Sequence, residues 1–413
     1  MKNIGMAMKF ALETIGSNIR RRKSPKPPET VTDIGTLEAY LHQLIAVESP
    51  PGLSLVVIKD GKIVYNKSFG LADGPNNIPA TPNTVYRWMS MTKIPTAIAI
   101  LQLHEHGLLN IDFPVHDYLP FFKMQPGPGT NNVITIRNLL NHSSGLVNPL
   151  AIVGWVHLEG EPHLNQTELV ERVLPKYAKL KFEPGKQAAY TNLGYMVLGA
   201  IIEAVSDQTY EDYVIENILR PLKMEHTNFI YTDEMLPYEA IGSHPTAHIM
   251  SIVLPFIIEN LDTHIREITH GRMWFKRIYP DQTPPTGLIG PAADAARLVA
   301  AYLNRGELDG VRILSSQTVQ MMTQEGHVVS KGPEARAYKD LVHGLGWWIM
   351  PESKGQYLFH FGDGPGFSAM MCVYPERNLG IVVMGNDSAY GISLKGKSVK
   401  DTIMNIVAGL DWR

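Results

Sequence analysis

Strand-like runs stand at both ends of this chain and are missing from its middle. Near the start, "LSLVVIKDGKIVYNKSFGLAD" reads as a hairpin with Asp60-Gly61 as its turn. Near the end come "HGLGWWIM", "QYLFHF", "FSAMMCVY" and "LGIVVMGN". Residues 110–285 read mostly as helix and loop, with many prolines and little alternation. An antiparallel sheet built from both chain ends, with a helical insertion between, satisfies this order. The expected fold class is therefore α+β. A sheet subdomain takes about 31–90 and 286–413, and a helical subdomain takes about 91–285. The cleft between them is where an active site would sit. Residues 1–30 read as an N-terminal helix and a Pro-rich linker.

At 413 residues, 44% of them hydrophobic, the chain can bury a large core. Its net charge of −3 and the absence of a basic block after the first thirty residues exclude a nucleic-acid partner by composition. The single cysteine, Cys372, excludes an internal disulfide. That fits a reducing compartment, and a cytoplasmic location is expected. Cys372 lies in "AMMCVY" and reads as a buried small hydrophobe.

The longest apolar run, "IMSIVLPFII", is too short to span a bilayer and contains Pro255. In residues 1–23, Ile4, Met8, Ala11, Leu12, Ile15 and Ile19 share one helical face, followed by Arg20 to Lys23. This segment reads either as a helix docked on the body or as a membrane-surface helix. Signal-peptide features are absent from it.

The chemistry starts at "YRWMSMTKIPTA". Ser90 and Lys93 are three apart, so one helix face holds both, with Cβ atoms about 5–6 Å apart. A serine needs a base within hydrogen-bond reach. A buried lysine loses its charge preference and can take the proton. Trp88, Met89, Met91 and Ile94 supply an apolar setting. Pro95 predicts an irregular first turn. The helix N-terminus offers N–H groups to a developing oxyanion. Alone, the pair is a weak signal, since its ordinary reading is an N-terminal serine and a solvated lysine.

Two further stretches strengthen it: Tyr190-Thr191-Asn192 in "AAYTNLGYMVLGAII" and His360-Phe361-Gly362 in "FHFGDGPGF". With these in order, the chain resembles the serine β-lactamase-like family over roughly residues 35–410. That family includes class C β-lactamases, D-aminopeptidases, penicillin-binding proteins and the family VIII carboxylesterases. Its signatures are S-x-x-K, Y-x-N and K-T-G or H-x-G. The resemblance implies a β-lactamase/transpeptidase-like fold and an acyl-enzyme mechanism without metal or organic cofactor. It implies Ser90 as nucleophile and Tyr190 as base, as phenolate or in relay with Lys93. Asn192 binds Lys93 or a substrate carbonyl. The oxyanion hole takes the Ser90 and Asp363 N–H groups. On a strand, His360 and Gly362 face the cleft while the Asp363 side chain points away. Gly362 admits a close ligand. His360 stands where β-lactamases of the family carry lysine, and a neutral histidine suits an uncharged group better than a carboxylate.

Tyr302-Leu303-Asn304 repeats the Y-x-N pattern, but inside an alanine-rich helix. "HEHG" at 104–107 lacks shared-face metal spacing, and nucleotide-binding and G-x-S-x-G motifs are absent. The stretch 240–285 is the least family-like and reads as a helical insertion or a cap lining an acyl pocket. The expected function is a serine hydrolase cleaving small-molecule esters, closest to the family VIII carboxylesterases. A D-amino-acid peptidase, a weak β-lactamase and a catalytically idle binding protein are the alternatives, and the oligomeric state stays open.

Overall fold

The computed structural model describes residues 5–8, 10–12, 25–28, 30–125, 129, 133–324, 328–352, 355–390 and 398–412. At its centre lie nine strands: β1 (Gly52–Lys59), β2 (Lys62–Asp73), β3 (Ile78–Pro79), β4 (Val328–Val329), β5 (Val342–His343), β6 (Trp348–Glu352), β7 (Gly355–Gly364), β8 (Phe367–Tyr374) and β9 (Leu379–Gly385). They form one antiparallel sheet in the order β4-β5-β6-β7-β8-β9-β1-β2-β3. Strand β1 from the first part of the chain pairs with β9 from the last, Leu53 opposite Gly385. The two chain ends thus close one sheet, as the distribution of strand-like runs requires. The β1–β2 turn is Asp60-Gly61, both at positive φ (51° and 73°), the geometry for which this dipeptide is selected.

The pleat sorts side chains to two cores. Leu53, Leu55 and Val57 of β1, with Ile381 and Val383 of β9, pack with Leu37 and Leu41 of α1 (Ile34–Ala46). Cys372 is buried in this layer. On the opposite face, Val56, Ile58, Val382 and Met384 meet three helices: α2 (Lys93–Glu105), α3 (Asn192–Ser206) and α4 (Ala292–Leu303). The first of these is buried from Lys93 to Leu103, so it is a central helix without a solvent face. A final helix, α5 (Val399–Gly409), joins the first layer through Ile403 and Val407.

Two expectations need correction. Residues 240–285 are not wholly helical. They hold a helix, Ile249–Ile257, and a three-stranded sheet in which Arg272–Phe275 runs between Ser243–Pro245 and Ile265–Thr269. The turn at His270 and Gly271 has positive φ at both residues, which selects a hairpin over a helix. The N-terminal segment is helical over 5–8 and 10–12, but the expected face is not the docked one. Phe10 is buried against Leu254, Ile258, Met273 and Phe275, while Met8 and Leu12 stay exposed. Ile4, Ile15 and Ile19 lie outside the described residues, as does the basic run after them. No helix among the described residues is long and apolar enough to cross a membrane.

The 240–285 unit is fastened to the sheet beside the cleft. The Ser243 N–H donates to Gly366 O at 3.1 Å and Asn386 O at 3.0 Å. Arg272 and Asp387 form a buried ion pair at 2.9 Å. Removing one partner strands a buried charge. Arg272→Met is expected to cost about 3–5 kcal/mol in urea unfolding. The double change with Asp387→Leu is expected to recover part of that loss.

Candidate active site

The segment carrying Ser90 begins as a 3-10 turn, Met89–Thr92, and becomes α2 at Lys93, with Pro95 in the first turn. This is the irregular start that Pro95 predicts. Met89 holds φ of +49°, strained for a side-chain-bearing residue and placed directly before the nucleophile candidate. Strand β7 presses against this turn. A Cβ on Gly362 would lie 2.1 Å from Trp88 O and 2.9 Å from Ser90 N. The close approach that Gly362 allows is therefore by the protein's own backbone, a correction to its expected role beside a ligand. Its consequence is that the end of β7 lies against the Ser90 amide.

Tyr190 precedes α3, with Thr191 as cap and Asn192 as first helical residue. This brings three motif residues onto one another. Ser90 Oγ lies 2.7 Å from Tyr190 Oη, and Lys93 Nζ lies 3.2 Å from Ser90 Oγ. Asn192 Oδ1 accepts from Lys93 Nζ at 2.8 Å and from Tyr190 Oη at 2.9 Å. Lys93 Nζ also donates to Pro285 O at 3.1 Å.

Donor counting fixes what these contacts mean. Asn192 Oδ1 only accepts, so the Tyr190 hydrogen points to it and the Ser90 hydroxyl donates to Tyr190. Two carbonyl oxygens consume two hydrogens of Lys93. In its neutral form the amine has its lone pair left for Ser90 Oγ, and it accepts the one Ser90 hydrogen when that hydroxyl turns from Tyr190 to Lys93. Lys93 is fully buried, and desolvation holds its pKa well below the usual lysine range. Burial also raises the Tyr190 phenol well above its ordinary value, against a smaller lowering from the Ser90 hydrogen bond. Of the two forms expected for Tyr190, burial favours the neutral phenol in relay with Lys93 over the phenolate. A neutral Tyr190 can pass the Ser90 proton on, and an uncharged Lys93 can hold it.

His360 is buried rather than open to the cleft. Its Nδ1 lies 2.8 Å from Phe361 O, and a carbonyl can only accept, so Nδ1 carries the hydrogen. Desolvation drives its pKa well below the usual histidine range. It is a neutral residue behind Tyr190, with ring centroids 6.4 Å apart. Asp363 points away as expected. Its carboxylate pairs with Lys400 Nζ of α5 at 2.5 Å and accepts from Ser368 Oγ. Only its backbone is left to serve beside Ser90.

Several supports carried no sequence signal. The Tyr190 N–H donates to Glu334 Oε1 at 3.1 Å, and the Asn192 N–H to Asn148 Oδ1 at 3.0 Å. The His142 ring lies tilted against Tyr190, with centroids 4.8 Å apart and planes at 47°. These partners come from distant loops with no fixed spacing. Tyr302 is excluded by position: it packs on Trp347 and lines a surface recess far along the chain from these residues.

The family model described as Beta-lactamase matches residues 37–392. The chain belongs to the β-lactamase family. Its members are serine hydrolases of the β-lactamase and penicillin-binding protein superfamily. Protein flp of Staphylococcus aureus (strain N315) is 29% identical over 336 residues, 81% of this chain and 59% of that protein. The chain therefore spans 59% of the length of this curated relative. Among solved structures, the octameric penicillin-binding protein homologue from Pyrococcus abyssi has a TM-score of 0.71 and 27% identity. The match covers 92% of this chain and 78% of that one. EstCE1, a hydrolase with promiscuous acyltransferase activity, shares the fold at a TM-score of 0.69 and 22% identity. It covers 91% of this chain and 98% of its own. The β-lactamase/transpeptidase-like fold expected from the motifs is thereby established.

In this β-lactamase-family site, Lys93 gives a stability signature. Its folded pKa is lowered, so between that value and the unfolded value near 10.5 only the unfolded chain carries the proton. Unfolding then takes up a proton, and stability rises with pH across this window. The difference in stability between wild type and Lys93→Met is expected to shift in favour of the wild type as pH rises towards 10.5. Urea unfolding at a series of pH values reads it, and a pH-independent difference would refute a charge-depressed Lys93.

Proposed function

We propose that this serine hydrolase is a carboxylesterase working through a Ser90 acyl-enzyme. Ser90 Oγ attacks the ester carbonyl carbon while its proton moves to the Tyr190–Lys93 pair. The Ser90 and Asp363 N–H groups receive the oxyanion. Collapse of the tetrahedral intermediate breaks the bond to the alkoxide, which takes the proton back from the pair. A water then repeats the sequence on the acyl-enzyme, releasing the acid and restoring Ser90.

The observation that carries the ester reading is His360. Where β-lactamases of this family carry a lysine, this chain has a buried neutral histidine, so the C-terminal strand supplies no cation for a β-lactam carboxylate. A recess adjoining Asp363–Pro365 supports esters of small or medium acids. It has a volume of about 130 Å³ and is lined by Leu150, Met250, Leu254, Ile257 and Ile258. An apolar space of this order holds a group about the size of benzene.

Ser90→Ala, Lys93→Ala and Tyr190→Phe are each expected to lower ester turnover by about three orders of magnitude, because the three act as a unit. Hydrolysis of p-nitrophenyl acetate and butyrate, compared with a D-amino-acid amide and a cephalosporin, checks the class. Faster turnover of the amide or the cephalosporin than of both esters would overturn the carboxylesterase reading.

A further inference from the structure

The pocket that contains Ser90 also holds a cation that the mechanism does not use. Arg87 ends the strand Val85–Arg87, whose partner strand is Ile289–Pro291. It is only 5% exposed, and its Nη2 is buried without a hydrogen-bond partner among the described residues. A guanidinium stays charged at any ordinary pH, so burying one without an acceptor is costly. Its neighbours do not meet that cost. The Tyr279 ring lies 5.4 Å from the guanidinium carbon, a cation–π contact without hydrogen bonds. The nearby carboxylate of Glu239 is already held by Arg277 through both oxygens, at 2.7 and 3.0 Å.

A second unspent group faces the same space. Gln282 is 2% exposed, and its side-chain Oε1 is also buried without a partner. The two ends of an amide exchange by rotation about its last bond, so this position can present an N–H as readily as an oxygen. Arg87, Gln282, Ser90 and Asn192 line one recess of about 40 Å³. That space takes a group the size of about two waters, which fits the three heavy atoms of a carboxylate more readily than a tetrahedral phosphate.

We propose that Arg87 and Gln282 form a carboxylate-binding subsite beside Ser90, and that the natural substrate carries a carboxylate on a branch separate from the chain in the apolar recess. The inference deepens the ester reading by naming a substrate class, acidic esters, and rests on that reading only for the bond that is cleaved. The carboxylate accepts from the Arg87 fork and from the Gln282 amide. The charge comes from the end of the strand Val85–Arg87 rather than from the C-terminal strand that carries His360.

The test measures the rate at which a small fluorophosphonate labels Ser90, by intact mass, with propionate or with chloride at equal ionic strength. Propionate is expected to slow labelling of the wild-type protein by about tenfold, the size of one charge-assisted contact. The protection is expected to vanish in Arg87→Met, to weaken in Gln282→Leu and to survive in part in Arg87→Lys. Equal protection in Arg87→Met, or none in the wild type, overturns the subsite. So does inorganic phosphate protecting better than propionate. Should Arg87→Met lose its near-ultraviolet dichroism, Gln282→Leu carries the comparison. Absence of labelling in every protein would overturn the Ser90 mechanism. The subsite is then decided by whether propionate raises the thermal midpoint of the wild type and not of Gln282→Leu.

Discussion

An amine without solvent holds this site together. Lys93 is buried where three chain segments meet, and each supplies one of its partners: Ser90 from its own first turn, Asn192 from α3 and the carbonyl of Pro285 from the chain returning to the sheet. In water such a group would keep its proton. Here the cost of charge in a low-dielectric interior favours the free base. The fold spends stability to hold a neutral amine at that point, and the reactivity assigned to Ser90 follows from it.

The same constraint runs through the groups around it. His142 and His360 are buried, and desolvation depresses both. The Tyr190 phenol is raised for the same reason. Asp363 would oppose an oxyanion, but its carboxylate is turned to Lys400 on the far side of β7. The result is a nearly uncharged floor beneath the nucleophile, with Arg87 as the cation left in its wall. Charge is kept out of the proton path and retained in the wall of the recess that Ser90 also lines.

The insertion at 240–285 links this floor to the rest of the molecule. Its strands bond the sheet end through Ser243 and Arg272, and its helix lines the apolar recess with Leu254 and Ile257. The N-terminal helix supports it from behind through Phe10. Residues 240–285 therefore shape the wall next to Ser90 through Ile278, Pro280 and Gln282.

The sequence by itself determined the sheet built from both chain ends, because alternation and a turn dipeptide such as Asp60-Gly61 are local properties. It also determined the pair Ser90 and Lys93, since three residues on a helix start are one turn in space. The Tyr190 and Asn192 partnership was legible through the order of motifs. Only the tertiary structure decided the protonation pattern, because desolvation depends on what covers a group and not on its neighbours in the chain. It also decided that Gly362 admits the Ser90 turn, that His270-Gly271 makes a hairpin within an apolar stretch, and that Arg87 Nη2 has no hydrogen-bond partner among the described residues. A missing partner is visible only when every neighbouring side chain has been placed.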